Sequence, residues 1–228
     1  MISLPTECLF TIFDNLQTDY ESLFSCLLVN REWCRIIVPI LWSEPTIHFS
    51  DIRLIKIFLL MLNAKEQALL IPFKINLPNY QKLLFDYTSY TVSIGYGLHN
   101  GIVNYLLQIK QIENRMRDIS VITVKCSLIA MFLRTSKKLK YLKTGNIIYN
   151  RIILENLCQN TTVISMDYSS NDDSEFEVIE AIAKILCKNT TLTSLNLIGG
   201  KALTEALCKN TTLTYLNVGL NQIDSEEE

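Results

Sequence analysis

The chain has 228 residues, 49% of them hydrophobic and 19% charged, a composition typical of a folded globular protein. Its formal net charge of -2 provides no positive field to attract a phosphate backbone, so we expect no nucleic acid partner. The most hydrophobic stretch, residues 52–62, contains Arg53 and Lys56 and is far shorter than the roughly 20 residues that span a bilayer. We therefore expect no membrane partner. With no signal-peptide pattern at the N-terminus, we expect the protein in the cytoplasm, the nucleus or both.

The first 45 residues contain signals for three short helices. Pro5 suits the first helical position because it has no N–H to leave unpaired. Apolar residues follow at the i, i+3, i+4, i+7 spacing of one helix face: Leu9, Ile12, Phe13 and Leu16. A second helix is predicted from about Glu21, apolar around most of its circumference, and a third near 34–41. Because three helices this short bury too little surface to enclose these apolar faces, we expect another surface to cover them.

These residues resemble the F-box. The similarity lies in Leu4-Pro5-x-Glu7-x-Leu9-x-x-Ile12-Phe13-x-x-Leu16, in Leu23, in Cys26-Leu27-Leu28-Val29-Asn30-Arg31-x-Trp33 and in Leu41-Trp42. The resemblance implies a three-helix F-box over residues 1–45 that binds the Skp-type adaptor of a ubiquitin ligase and, through it, a cullin-RING assembly. The adaptor-binding residues that it implies are Leu4, Pro5, Leu9, Ile12, Phe13, Leu16, Leu23, Val29 and Trp33. The alternative is a three-helix cap that keeps its apolar face inward.

Residues 46–118 match no family pattern, and we interpret them as a linker region of irregular α+β structure. The predicted elements are a short strand at 46–49, helices at 52–62, 65–71 and 102–116, and extended or loop structure at 83–96.

The sequence contains no recognisable catalytic, metal or cofactor site, and we expect a non-catalytic protein without a cofactor. The seven cysteines form no C-x-x-C pair and are odd in number, so we expect them to be packing residues. His48 and His99 are far apart and have no acidic or cysteine partner at metal-ligand spacing. The glycines at 95, 97 and 101 are not followed by the Gly-Lys-Ser or Gly-Lys-Thr of a phosphate loop.

The C-terminal half is repetitive. Three segments, 157–168, 186–197 and 207–218, share Leu-Cys-x-Asn-Thr-Thr, and a fainter copy begins at Leu133. Starts at 133, 157, 186 and 207 are 24, 29 and 21 residues apart, within the 20–29 residue period of leucine-rich repeats. The last segment also fits the internal pattern, Leu213-x-x-Leu216-x-Val218-x-x-Asn221-x-Ile223, whereas two of the others lack its asparagine and have Ile147 or Gly200 there.

The repeats resemble leucine-rich repeats, which implies an α/β fold: a short solenoid over residues 119–228 with one parallel strand and one helix per repeat. A single unit cannot bury its apolar face, so stacking supplies the core. We expect the asparagine after each helix to end it in a left-handed conformation. The N-x-T sequons at Asn160, Asn189 and Asn210 then recur because the helix end recurs, and we do not expect glycosylation. No polar cap follows the last strand, which leaves open whether the array continues in a longer chain.

An F-box combined with leucine-rich repeats resembles the substrate receptors of SCF (Skp-cullin-F-box) ubiquitin ligases, in which the repeats hold a client protein destined for degradation. In L-x-x-L-x-L the leucines face the core and the intervening residues face solvent. The client-binding residues expected from this geometry are Tyr141, Lys143, Ile164, Asp167, Asn196, Tyr215 and Asn217. The alternative is an F-box/leucine-rich-repeat interaction protein without a ubiquitylated client. The sequence names no client and does not show whether its recognition depends on phosphorylation.

Overall fold

The structure is a computed structural model. It describes residues 4–49, 51–75, 77–78, 83–109, 117–145, 147–148, 150–169, 175–198 and 204–218. Within these ranges no helix is both long enough and apolar enough to cross a bilayer.

Three short helices, α1 (Thr6–Asp14), α2 (Tyr20–Leu27) and α3 (Arg31–Leu41), occupy the N-terminal segment. Helix α3 begins three residues earlier than the sequence pattern predicts, because Asn30 caps it: the Asn30 Oδ1 atom accepts a hydrogen bond from the Trp33 N–H at 2.9 Å. The three helices share a small hydrophobic cluster of their own. Its buried members are Leu9, Phe13, Leu23, Ile37 and Ile40.

The chain between α3 and the repeats is more regular than expected. Residues 45–48 form a 3-10 helix and not the predicted strand, since Pro45 fixes its own φ and suits the first helical position. Further elements follow in the order α4 (Ile52–Leu60), α5 (Ala64–Ala68), 3-10 helices at Ile71–Phe73 and Tyr87–Tyr90, strand β1 (Ser93–Ile94) and α6 (Gly97–Gln108). Helix α6 begins five residues before the predicted start at 102, and residues 110–116 lie outside the described part of the chain.

A parallel sheet dominates the rest of the molecule. After α6 the helices and strands alternate along the chain: α7 (Arg117–Thr135), β2 (Tyr141–Lys143), α8 (Arg151–Gln159), β3 (Ser165–Ser169), α9 (Glu175–Lys188), β4 (Ser194–Ile198), α10 (Thr204–Lys209) and β5 (Tyr215–Asn217). The five strands in the described part of the chain lie side by side in chain order, β1-β2-β3-β4-β5, and every pair is parallel. The strands of the four repeats are therefore where the pattern predicts them. Strand β1 joins the same sheet, so the sheet extends beyond the predicted start at 119.

Side chains alternate along the strands as the L-x-x-L-x-L pattern requires. Leu142, Met166 and Leu195 occupy one register row and are buried against the helices. The same core contains Phe58 of α4 and Ile102 of α6. The described residues between 48 and 109 therefore belong to the body that carries the sheet.

Trp42 attaches the three N-terminal helices to this body. Its ring stacks on Tyr87 with centroids 4.2 Å apart and meets the edge of Phe58 at 5.6 Å. The next residue, Ser43, accepts a hydrogen bond at its carbonyl from the Val92 N–H at 2.7 Å. We call these five residues the Trp42 joint.

The repeated asparagines end the helices in a different way from the one expected. None of the three, all of which the structure describes, has a positive φ. Instead, each side-chain Oδ1 atom accepts two backbone hydrogen bonds from residues two and three positions later. For Asn189 the donors are the N–H groups of Thr191 at 2.9 Å and Leu192 at 2.8 Å. Asn160 and Asn210 make the same pair of bonds.

The same asparagines also join neighbouring repeats. The Asn189 Nδ2 atom donates to the carbonyl oxygens of Leu157 at 2.8 Å and Asn160 at 3.0 Å, both in the preceding repeat. Asn210 Nδ2 donates to Leu186 O at 2.7 Å. These carbonyls lie at or beyond the ends of helices, where the regular i+4 donors run out, although the Leu157 carbonyl also accepts the Asn160 N–H at 3.3 Å. A glycan on Asn189 would replace one of the two Nδ2 hydrogens that make these bonds, and the side chain is only 5% exposed. We call these contacts the asparagine ladder.

We predict that Asn189→Ala lowers the free energy of unfolding by roughly 3 kcal/mol, because Asn189 is 5% exposed and bonds four backbone groups. Denaturant unfolding followed by circular dichroism measures the change. Thr190→Ala is the matched control at an exposed neighbouring position and should have little effect. Equal stability of the two variants would show that the ladder contributes nothing.

We also predict that the amides of β5 exchange with solvent about tenfold or more faster than those of β4. Leu192 and Leu195 are fully buried at 2% and 0% exposure, whereas the equivalent Leu213 and Leu216 are only partly buried. Hydrogen exchange read by mass spectrometry compares the two strands. Equal protection would mean that the last strand is covered as well as the one before it.

Candidate functional site

The first candidate surface lies on the three N-terminal helices and the turns beside them. Six large apolar side chains there are between 46% and 69% exposed. They are Leu4, Phe10, Ile12, Phe24, Leu28 and Val29. We call this set the helical apolar surface. Since water contact with large apolar side chains is unfavourable, such a concentration in one small segment makes it a candidate interaction site.

The structure separates the predicted adaptor-binding residues into two groups. Leu4, Ile12 and Val29 are exposed, as is Pro5. Leu16 and Trp33 are partly buried beside the small cluster.

Leu9, Phe13 and Leu23 differ from the predicted surface positions because they are buried. They are 4%, 2% and 1% exposed and form the core of the three-helix unit, so in this structure they hold the helices together and do not lie on the surface. Phe13 meets the Trp33 ring edge-on with centroids 5.1 Å apart. A helical stripe of apolar residues predicts one buried face, but it does not show whether other helices of the same chain or a partner protein cover that face.

The prediction also missed three exposed residues, Phe10, Phe24 and Leu28. The signal was present, since α2 is apolar around most of its circumference and a short helix has only one side facing its neighbours. Phe10 lies next to the inward residue Leu9 in α1, so the helix turn directs it to another face.

The second candidate surface is the face of the sheet opposite the helices, which we call the strand surface. The register places Tyr141, Ser165, Ser194 and Tyr215 in one row across β2 to β5. A second row contains Lys143, Asp167, Asn196 and Asn217. The two tyrosines are 50% and 57% exposed. Ile164 precedes β3 and is half-buried, and its carbonyl accepts the N–H groups of Thr193 and Ser194.

Lys143 is less accessible than predicted. It is 8% exposed, and its Nζ atom lies 2.9 Å from Asp167 Oδ2 and 2.7 Å from the centre of the Tyr96 ring. The register explains the ion pair, because the two residues are directly opposite on adjacent strands. Asn196 Nδ2 donates to the other Asp167 oxygen at 3.4 Å. The middle of this row is therefore an internal polar network, and the tyrosine row is the open part of the strand surface.

The cysteines differ partly from the expectation of plain packing. Cys126 is buried, and burial raises the pKa of its thiol to about 12, which keeps it protonated at neutral pH. Cys8, Cys187 and Cys208 are exposed. Within the described ranges no group of three or more His, Cys, Asp or Glu side chains is arranged to hold a metal ion.

Comparison with protein families gives two matches. Residues 1–48 match the F-box-like family model, and residues 209–226 match a leucine-rich-repeat model. No curated protein and no solved structure matches the chain. The first match covers the helical apolar surface, and the second covers β5 and the last asparagine of the ladder. Together they support an F-box protein with leucine-rich repeats toward its C-terminal end.

Proposed function

We propose that this chain is the substrate-recognition subunit of an SCF ubiquitin ligase. Residues 1–45 form the F-box and bind a Skp-type adaptor, which links the chain to a cullin-RING assembly, and the strand surface binds a client protein. The observation that supports this most strongly is the helical apolar surface, which lies within the segment that matches the F-box-like model.

The character of the helical apolar surface favours a stable protein partner. Its members are leucine, isoleucine, valine and phenylalanine, with no charged group among them, and burying one such side chain contributes about 1.5–3 kcal/mol. Leu9, Phe13 and Leu23 hold the helices in place beneath it, so the surface is preformed. Preformed apolar surfaces lose little conformational freedom on binding, which favours affinity.

The rest of the chain, from about residue 46, serves as a single binding body. Its sheet and helices form a short leucine-rich-repeat solenoid, with β1 as an additional first strand. On the strand surface, one half-exposed tyrosine lies at each end of a row whose two middle residues are serines. Aromatic residues surrounded by small polar groups are typical of protein-binding hot spots.

Such a subunit makes no covalent bond itself. It raises the effective concentration of a client lysine near the ubiquitin-conjugating enzyme that the ligase holds, and proximity of this kind accelerates transfer without any catalytic group in the receptor. The protein is accordingly non-catalytic and needs no cofactor. We expect it to act in the cytoplasm or the nucleus.

We predict that Leu4→Ala with Pro5→Ala weakens adaptor binding by about 2 kcal/mol or more, which is roughly thirtyfold in Kd. Leu4 is 51% exposed and belongs to the helical apolar surface, so its truncation removes contact area without opening a cavity. Calorimetric titration of purified adaptor into the variant measures the change.

Leu84→Ala is the control for this test, because Leu84 is a large apolar residue with 87% exposure outside the three-helix segment. It should bind the adaptor like the unmodified chain. Full adaptor binding by the Leu4 and Pro5 double variant, with an unchanged circular-dichroism spectrum, would argue against the proposed F-box role.

We further predict that Tyr141→Ala with Tyr215→Ala reduces client capture about tenfold or more while adaptor binding is unchanged. The two tyrosines are half-exposed on the strand surface, far in sequence from the F-box, and their truncation leaves the core intact. Proximity labelling in cells with the proteasome blocked gives the set of clients, and quantitative mass spectrometry compares the variant with the unmodified chain.

Ile71→Ala provides the contrast, since Ile71 is a large apolar residue with 72% exposure that lies outside both the strand surface and the three-helix segment. Undiminished capture by the Tyr141 and Tyr215 variant would exclude the strand surface. Client half-life decides between the receptor and an F-box interaction protein without degradation: a receptor's clients become longer-lived when the chain is removed.

A further inference from the structure

A pocket of about 220 Å³ opens at the carboxyl end of strands β1 and β2. Its walls come from the loop after β1, the first turns of α6 and the buried helix α7. The polar side chains that line it are Tyr96, His99, Asn100, Lys125 and Lys143. Gly95 and Gly145 lie on the two strand ends, so the backbone there leaves room for a ligand. Neither the F-box nor the tyrosine row uses this pocket.

Lys125 is the unusual group in the pocket. It projects from the middle of α7, and its Nζ atom donates to the Thr144 carbonyl oxygen at 2.6 Å. Among the described residues no carboxylate pairs with it. Desolvation by burial lowers the pKa of Lys125, since the charged form has lost water without gaining a counter-ion. A cation held in this way is stabilised by an anion that enters the pocket.

Lys143 and the start of α6 favour the same sign of ligand, whereas His99, whose pKa is lowered, adds no positive charge at neutral pH. Lys143 lies on the adjacent wall, although Asp167 neutralises part of its charge. Burial and the charge of Lys125 lower the pKa of His99, with Asp118 acting weakly in the opposite direction. Helix α6 begins beside the pocket with no side chain capping its first turn. Backbone N–H groups at such a helix start add to the attraction for an anion.

We propose that this pocket binds a phosphate monoester, with Lys125 and Lys143 as its cationic ligands and Asn100 as a neutral hydrogen-bond donor. A phosphate monoester carries a charge between about −1.5 and −2 at pH 7. Two lysines therefore match it better than they would match a ligand with a single carboxylate. Its three terminal oxygens can accept bonds from several directions. The pocket lies beside Lys143 at one end of the strand surface, so the phosphate can come from a phosphorylated client side chain or from a small free phosphate compound.

The first test adds a negative charge at the mouth of the pocket. Asn100→Asp places a carboxylate among the ligands, and Asn104→Asp makes the same change one turn further along α6, outside the pocket. Both positions are exposed, so both variants should fold. Calorimetric titration of O-phospho-L-serine into the full-length chain should show binding, about tenfold or more weaker in Asn100→Asp and unchanged in Asn104→Asp.

The second test removes the uncompensated cation. Lys125→Met keeps the aliphatic stem and should abolish binding of O-phospho-L-serine, whereas Lys140→Met removes an exposed lysine at the other end of β2 and should not. Circular dichroism shows whether each variant is folded, and the asparagine pair decides the question if Lys125→Met is not. Absence of binding to the unmodified chain, or equal binding by Asn100→Asp and Asn104→Asp, would overturn the proposal.

Two arms of the titration identify the source of the phosphate. A mixed-sequence phosphoserine peptide pool is compared with the same pool after phosphatase treatment, and inorganic phosphate is titrated in parallel. Phosphate-dependent peptide binding tighter than that of inorganic phosphate assigns the pocket to a modified client. Binding of inorganic phosphate that the peptides do not exceed assigns it to a small compound. The pocket is tested without the adaptor, so failure here leaves the proposed F-box function intact.

Discussion

The asparagine ladder is the constraint on which the repeat region depends. A helix that ends between two strands leaves carbonyl groups without donors, and burying them unpaired would be costly. Asn189 and Asn210 supply those donors from the following repeat, while their oxygen atoms turn the chain toward the next strand. Each repeat therefore completes the one before it. This is the nearest-neighbour dependence expected of a stacked array.

The ladder also determines what the strand surface can present. Because the same asparagine ends the helix and starts the turn into the next strand, β3, β4 and β5 begin at equivalent positions and their side chains stay in register. Tyr215 therefore falls in the same row as Tyr141 although 74 residues separate them, from 141 to 215. A shift of one residue would turn Tyr215 into the core and Leu216 to solvent.

The sequence predicts this half of the molecule well because period, leucine spacing and strand alternation all report the same geometry. It fails where the contact partner is remote. Strand β1 has only two residues and no repeat pattern, so nothing local indicates its place in the sheet. The alternation of side chains along β2 predicts that Lys143 faces solvent. The prediction misses Tyr96, which covers Lys143 and lies in a stretch that matches no family pattern. The predicted left-handed conformation of the asparagines was wrong for another reason. A side-chain oxygen that accepts backbone hydrogen bonds can end a helix without a left-handed residue.

The Trp42 joint has a consequence for how the two surfaces cooperate. Its ring is held between Tyr87 and Phe58, and the following carbonyl is bonded to the strand-side backbone at Val92, so no free hinge separates the helices from the sheet at this point. If the chain has the proposed function, a subunit built in this way acts as a spacer of fixed length and direction. Under the proposed function, the client lysines that receive ubiquitin are then selected by their distance from the bound site, and the sequence around each lysine matters little.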